Sequence, residues 1–211
     1  VWENIVYVVA VATMFIGNLF ALRQKNMKRF LAFSSIAQAG FILLGLISGT
    51  QLGTATVVYF VLIYILTNLA AFGVVQAISL KTGKENMDDY NGLYRTNPNL
   101  SLVMMLALFS LSGIPPVAGF FGKFFLFAAA ASKGYYLLVF LAVVNVTISL
   151  FYYLLVIRAM FIRKNENPIP FFFFFFYMRL GLSITVLGIL ILGLYSPLYD
   201  YIFELSNVFN K

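Results

Sequence analysis

Apolar residues run along this chain in blocks about as long as a bilayer is thick, separated by short polar stretches. Six candidate spans follow: Ile5 to Leu22, Phe30 to Ile47, Ala55 to Leu80, Leu100 to Ser132, Tyr135 to Ile162, and Leu180 to about Tyr195, the last ended by Ser196-Pro197. Each is near or beyond the roughly 20 residues that a crossing needs. All are expected to be helical, because in lipid every backbone polar group must bond within the protein. The pattern therefore predicts an all-α, polytopic transmembrane bundle. Between the third and fourth spans lies "KTGKENMDDYNGLYRTNPN", residues 81–99, which reads as a polar linker.

The fourth span departs from the pattern. Leu100 to Ser132 is 33 residues, which as one straight helix would be about 50 Å long against a hydrocarbon core of about 30 Å. It contains "SGIPPVAGFFGKFF", Ser112 to Phe125. Pro115 and Pro116 each lack an N–H, and Pro116 also disfavours helical geometry at Pro115. Gly113 and Gly119 permit an irregular backbone. Two half-helices joined by an unwound segment are expected. Bare carbonyls at membrane depth are tolerated only inside protein or beside a water-filled cavity, and broken helices of this kind mark ion sites in many transporters.

Lys123 follows the break by about two turns, among Phe120, Phe121, Phe124 and Phe125, far from any predicted loop. A charge near the bilayer centre costs at least roughly 2.5–3.5 kcal/mol on insertion scales, so such a residue is a functional candidate by default. A lysine held from water can load and release a proton. The competing reading is a side chain that snorkels to the interface, and the aromatic flanks and the break argue against it. Polar residues on neighbouring spans add to the picture. Ser34 and Gln38 are four apart on the second span, Tyr64 and Asn68 four apart on the third, and Asn145, Ser149 and Tyr152 share one face of the fifth. Singly, each reads as interhelical glue, worth about 0.6 kcal/mol per hydrogen bond. Together with the lysine, a hydrated proton path is the better joint reading.

Composition changes the picture in three ways. The chain has 211 residues, 62% apolar and 10% charged, with a mean hydropathy of +0.94, whereas soluble domains carry about 25% charged residues. The net charge of +7 comes without a basic stripe interleaved with aromatics, so nucleic acid is not implied. There is no histidine and no cysteine, which leaves out disulfides, iron–sulfur ligation, histidine-ligated haem and the usual zinc sites. The basic residues instead report topology. Eleven of fourteen fall in three loops: Arg23, Lys25, Lys28 and Arg29; Lys81, Lys84 and Arg95; Arg158, Arg163, Lys164 and Arg179. Lys133 and Lys211 fall on the other side. The positive-inside rule makes the three loops cytoplasmic and puts both termini outside. The first residue is Val and no signal-peptide pattern precedes the first span, so the chain is expected to begin partway through a longer protein. The run Phe171 to Phe176 reads as an artefact of the sequence or as a greasy interfacial stretch, and no chemistry is assigned to it.

Three segments carry a family resemblance: "GNLFALRQKNMKRFLAFSSIAQAGF" (Gly17 to Phe41), "LFSLSGIPPVAGFFGKFFLF" (Leu108 to Phe127) and "NVTISLFYYLLVIRAMF" (Asn145 to Phe161). Together they resemble the antiporter-like membrane subunits of respiratory complex I, and within them most the N-type subunits of bacterial NADH–quinone oxidoreductase. The related M-type subunits typically carry glutamate where this chain has Lys123. The resemblance implies half of a fold of about fourteen helices, matched from the ninth onward. It implies proton translocation through Lys123, driven by quinone reduction elsewhere. NADH, FMN, iron–sulfur clusters and quinone would belong to other subunits, with no cofactor or metal in this chain. The implied partners are the M-, L- and K-type membrane subunits and the lipid bilayer, in a bacterial inner membrane. The first broken helix, its lysine and a glutamate would lie in the half not present. Three alternatives stay open: a subunit of an Mrp-type antiporter or membrane-bound hydrogenase, half of a secondary solute transporter, and a purely structural membrane subunit. A solute transporter would call for more polar cavity groups than one lysine.

Overall fold

The computed structural model describes residues 2–173, 176–195 and 197–206. In chain order its helices are α1 (Trp2–Leu22), α2 (Met27–Ile47), α3 (Gln51–Thr82), a 3-10 turn (Met87–Tyr90), α4 (Leu93–Thr96), α5 (Pro98–Ser112), α6 (Ala118–Ser132), α7 (Tyr136–Phe161), α8 (Phe176–Leu194) and α9 (Pro197–Ser206). Helices α1, α2, α3, α7 and α8 are each long and apolar enough to cross a membrane. Helices α5 and α6, 15 residues each, reach only about 22 Å apiece. Together they make the sixth crossing, broken at residues 113–117. The fold is thus an all-α membrane bundle with a discontinuous fourth span.

The helix starts and stops follow local chemistry. Asn26 caps α2 by accepting from the amides of Lys28 and Arg29, and Thr50 caps α3 by accepting from Gly53. These side chains satisfy amides that have no acceptor within the helix. Apolar residues on the outer faces, such as Ile5, Val8, Leu62, Phe140 and Ile191, are exposed, as lipid-facing positions require. Between α1 and α2 the packing is close because Gly17 lies against the backbone of Phe33 and Ala37, the small-residue contact common between membrane helices.

The three basic loops meet at one end of the bundle. Met27 N donates to Glu85 O at 2.8 Å, Met87 N to Lys25 O at 2.7 Å, and Gly92 N to Ala159 O at 2.9 Å. Lys28 Nζ pairs with Glu85 Oε1 at 2.5 Å. Segment 81–99, polar by composition, is therefore docked: its Tyr90 and Leu93 are fully buried. Lys133 stands at the opposite end as the C-cap of α6. Lys211 and Ser196 lie outside the described residues, as do Phe174 and Phe175. Phe171 and Phe173 are exposed, and Phe176 opens α8. Helix α9 was not expected. It folds back on α3, with the Tyr199 ring 5.3 Å from that of Tyr59 and Gln51 Nε2 donating to Phe203 O at 3.1 Å.

Candidate functional site

The break creates the site. In an unbroken helix the Leu111 carbonyl would accept from the amide of residue 115, but Pro115 has no amide hydrogen. Gly113, at φ +82°, turns the chain out of α5 in the left-handed region and sends its own N–H back to Phe109 and Ser110. The Leu111 oxygen is left at the C-terminal end of α5, where the helix dipole is negative. Into this position α6 delivers Lys123. Gly119 allows it, because a Cβ there would run into the main-chain oxygen of Ser110.

Lys123 is 3% exposed. Its Nζ donates to Leu111 O at 2.6 Å and lies 4.6 Å from the centroid of the Phe41 ring, a cation–π contact. A snorkelling lysine would leave its head in water; this one turns inward. Gln38, from α2, donates to the same oxygen at 3.0 Å and to Tyr153 Oη at 3.4 Å. Tyr153 in turn bonds Ser34 Oγ. Lys123, Gln38, Tyr153 and Ser34 therefore form a polar chain, linked through one main-chain carbonyl and contributed by α2, α5, α6 and α7. Gln38 Oε1 is buried with no hydrogen-bond partner among the described residues.

A second cluster adjoins the first through the Tyr152 and Tyr153 rings, 4.6 Å apart at their centroids. Tyr152 Oη donates to Asn18 Oδ1 at 2.8 Å, and Asn18 Nδ2 donates to Asn145 Oδ1 at 2.9 Å.

The geometry invites comparison with known proteins. A family model described as "NADH:quinone oxidoreductase/Mrp antiporter, TM" matches residues 1–149. The chain belongs to this family. It is 54% identical over 200 residues to the NADH-quinone oxidoreductase subunit N of Phocaeicola vulgatus, across 94% of this chain and 42% of that one. To the subunit N of Azobacteroides pseudotrichonymphae genomovar. CFP2 it is 50% identical over 208 residues, across 98% and 43%. A chain of respiratory complex I from Thermus thermophilus with bound Aureothin superposes with a TM-score of 0.79 at 34% identity, across 92% of this chain and 44% of that one. The chain spans less than half the length of these relatives.

Of the residues of this antiporter-family chain singled out from sequence, Ser34, Gln38 and Lys123 share one network, and Asn145 and Tyr152 share the adjoining one. Ser149 is fully buried but bonds the Val146 carbonyl of its own helix. Tyr64 and Asn68 pair with each other at 2.9 Å, and Asn68 reaches Ser35 at 3.4 Å. Both stand apart from the Lys123 chain of bonds. Gly113, Pro115, Pro116 and Gly119 shape the break itself. Sequence reasoning passed over Tyr153 and Asn18, the residues that join the stripes. Asn18 has no polar companion one turn away, but an asparagine inside an apolar span is itself a signal. Among the described residues no three of His, Cys, Asp and Glu cluster as metal ligands.

Proposed function

We propose that this chain is the Lys123-bearing half of an N-type antiporter-like subunit of NADH–quinone oxidoreductase, and that Lys123 carries protons across the membrane in step with quinone reduction in other subunits. The basic end faces the bacterial cytoplasm, and M-, L- and K-type subunits are its neighbours. NADH, FMN, iron–sulfur clusters and quinone belong to those other parts of the complex. The observation that carries this reading is the hydrogen bond from Lys123 Nζ to the Leu111 oxygen freed by the helix break. A lysine can exist as ammonium or amine, so it can deliver a proton and take one back, while the main-chain oxygen holds either form as a hydrogen-bond donor. Tyr153, Ser34 and Gln38 extend the path with hydroxyl and amide groups.

The test is proton uptake by inverted membrane vesicles carrying the intact subunit. Lys123→Ala and Lys123→Arg are expected to lower uptake on the order of tenfold or more while the complex still assembles. Arginine fails because it stays protonated. Lys123→Glu retains part of the activity, because a buried carboxyl can also exchange a proton. Full uptake in Lys123→Ala at normal assembly overturns the role. Uptake that depends on sodium instead of a redox substrate would assign the chain to an Mrp-type antiporter.

A further inference from the structure

A narrow cleft of about 180 Å³ opens at the basic end of the bundle, beside the ends of α1 and α7. Gln24, Asp88 and Arg163 stand at its outer end, the aspartate and the arginine exposed. The docked segment 81–99 supplies one wall: Met87 and Asp88 line the cleft, and Gly92 N donates to Ala159 O of α7 at 2.9 Å. Phe30 and Tyr152, both buried, line it as well. Tyr152 lies nine residues before the end of α7, a depth of about 14 Å. The cleft therefore leads inward from charged surface groups to a tyrosine.

Tyr152 belongs to two structures at once. It lines the cleft, and its hydroxyl donates to Asn18 Oδ1 at 2.8 Å in the buried polar cluster. It also makes side-chain hydrogen bonds with Tyr153 and Ser34. From Tyr153 the bonds continue through Gln38 to the carbonyl that holds Lys123. The Phe30 ring packs edge-on against Tyr152 and Tyr153, at 5.3 and 5.9 Å between centroids, so the way inward is tight at this level. The cleft is smaller than the roughly 300–1,000 Å³ that organic ligands occupy, yet it has room for several waters. Its outer end carries one carboxylate and one guanidinium, which wet the opening without selecting a solute of either charge. A hydrated ion does not fit past the packed rings, whereas a proton needs only hydrogen-bond contact.

We propose that protons enter this chain from the cytoplasmic side through the cleft, with Tyr152 as the relay at its inner end. This rests on the reading above that Lys123 carries protons and that the basic end faces the cytoplasm. A hydronium ion in the cleft gives a proton to the Tyr152 oxygen as the phenol passes its own to the Tyr153–Ser34 pair. Tyr152 ends neutral, and the amine form of Lys123 is the final acceptor. Segment 81–99 then serves as the outer wall of a proton inlet.

The experiment places a cysteine at Ala159, in the wall of the cleft, within the intact complex in inverted membrane vesicles. Proton uptake is compared before and after an anionic methanethiosulfonate is added, with wild-type vesicles treated alike. Ala159→Cys is expected to label, and its uptake to fall on the order of tenfold, while the wild type keeps its rate. Tyr152→Phe keeps the ring and removes the hydroxyl. It should lower uptake severalfold in the assembled complex without changing the labelling rate of Ala159→Cys. No labelling would mean that water does not reach the cleft, which overturns the proposal. Uptake undiminished after complete labelling overturns it too, as does wild-type uptake in Tyr152→Phe. Each of these results leaves the lysine's role standing, because that role fails only on full uptake in Lys123→Ala.

Discussion

Gln38 Nε2 and Lys123 Nζ donate to the same atom, the carbonyl oxygen of Leu111, at 3.0 and 2.6 Å. A carbonyl has two lone pairs, so the two donors saturate it. The glutamine steadies the acceptor and at the same time connects it to Tyr153. A substitution there separates stability from conduction.

Gln38→Met keeps the volume and removes the amide. Thermal unfolding in detergent is expected to show a loss of about 1 kcal/mol, the usual net worth of a buried hydrogen bond. Proton uptake in vesicles should fall severalfold. Unchanged uptake at normal assembly would reduce Gln38 to a packing residue between α2 and α5.

Gly119→Ala tests the approach of α6 to α5. The added methyl would meet the Ser110 main chain, and overpacking of this kind costs about 1–3 kcal/mol. Gly134→Ala is the comparison. Gly134 has φ +83° with open space around the position of a Cβ, so its cost of about 1–2 kcal/mol is backbone strain alone. Both variants should melt earlier, but only Gly119→Ala should also lose proton uptake, because it alone displaces Lys123 from Leu111. Equal uptake in the two would show that the lysine does not depend on this contact.

The Lys28–Glu85 clamp has its own pH signature. Hydrogen bonds from Lys28 first, then Ser79 and Asn26, lower the Glu85 carboxyl from the usual 4.5 to about 2. Since the folded-state value lies below the unfolded one, the clamp's contribution is complete above about pH 4.5 and is lost as the pH falls towards 2. The melting temperature of the wild-type protein should drop across that window. In Glu85→Gln the component should be absent, and an identical drop in both would assign the acid sensitivity to other carboxyls.

Topology is testable with a single thiol, because this chain has no cysteine. Gln24→Cys, in the turn between α1 and α2, should react with an impermeant maleimide only from the cytoplasmic face. Lys133→Cys, exposed at the other end, should react only from outside. The opposite pattern would invert the orientation drawn from the basic loops.

The spans and the break were legible because their causes are local. Length and hydropathy mark a crossing, and a proline pair inside an overlong one marks its interruption. The joining residues were not legible, for geometric reasons. Tyr153 is next to Tyr152 in sequence but about 100° away on the helix, so a search along the Asn145–Ser149–Tyr152 face steps past it. Asn18 acts through α7, 127 residues away in sequence, and no pattern within α1 announces that partner. Helix α9 mixes Asp200 and Glu204 with aromatic residues, so hydropathy alone passes it over, and its packing on Tyr59 depends on tertiary contact.

The anchor of Lys123 belongs to no side chain, and this has a genetic consequence. A codon change at position 111 alters what packs there and leaves the oxygen in place. The heritable control lies four residues on, at Pro115. Any other amino acid there restores an amide hydrogen, which a helix continued past Gly113 would direct at that oxygen in competition with the lysine. Mutational scans that rank positions by side-chain contact with the lysine would therefore overlook the position that keeps its acceptor available.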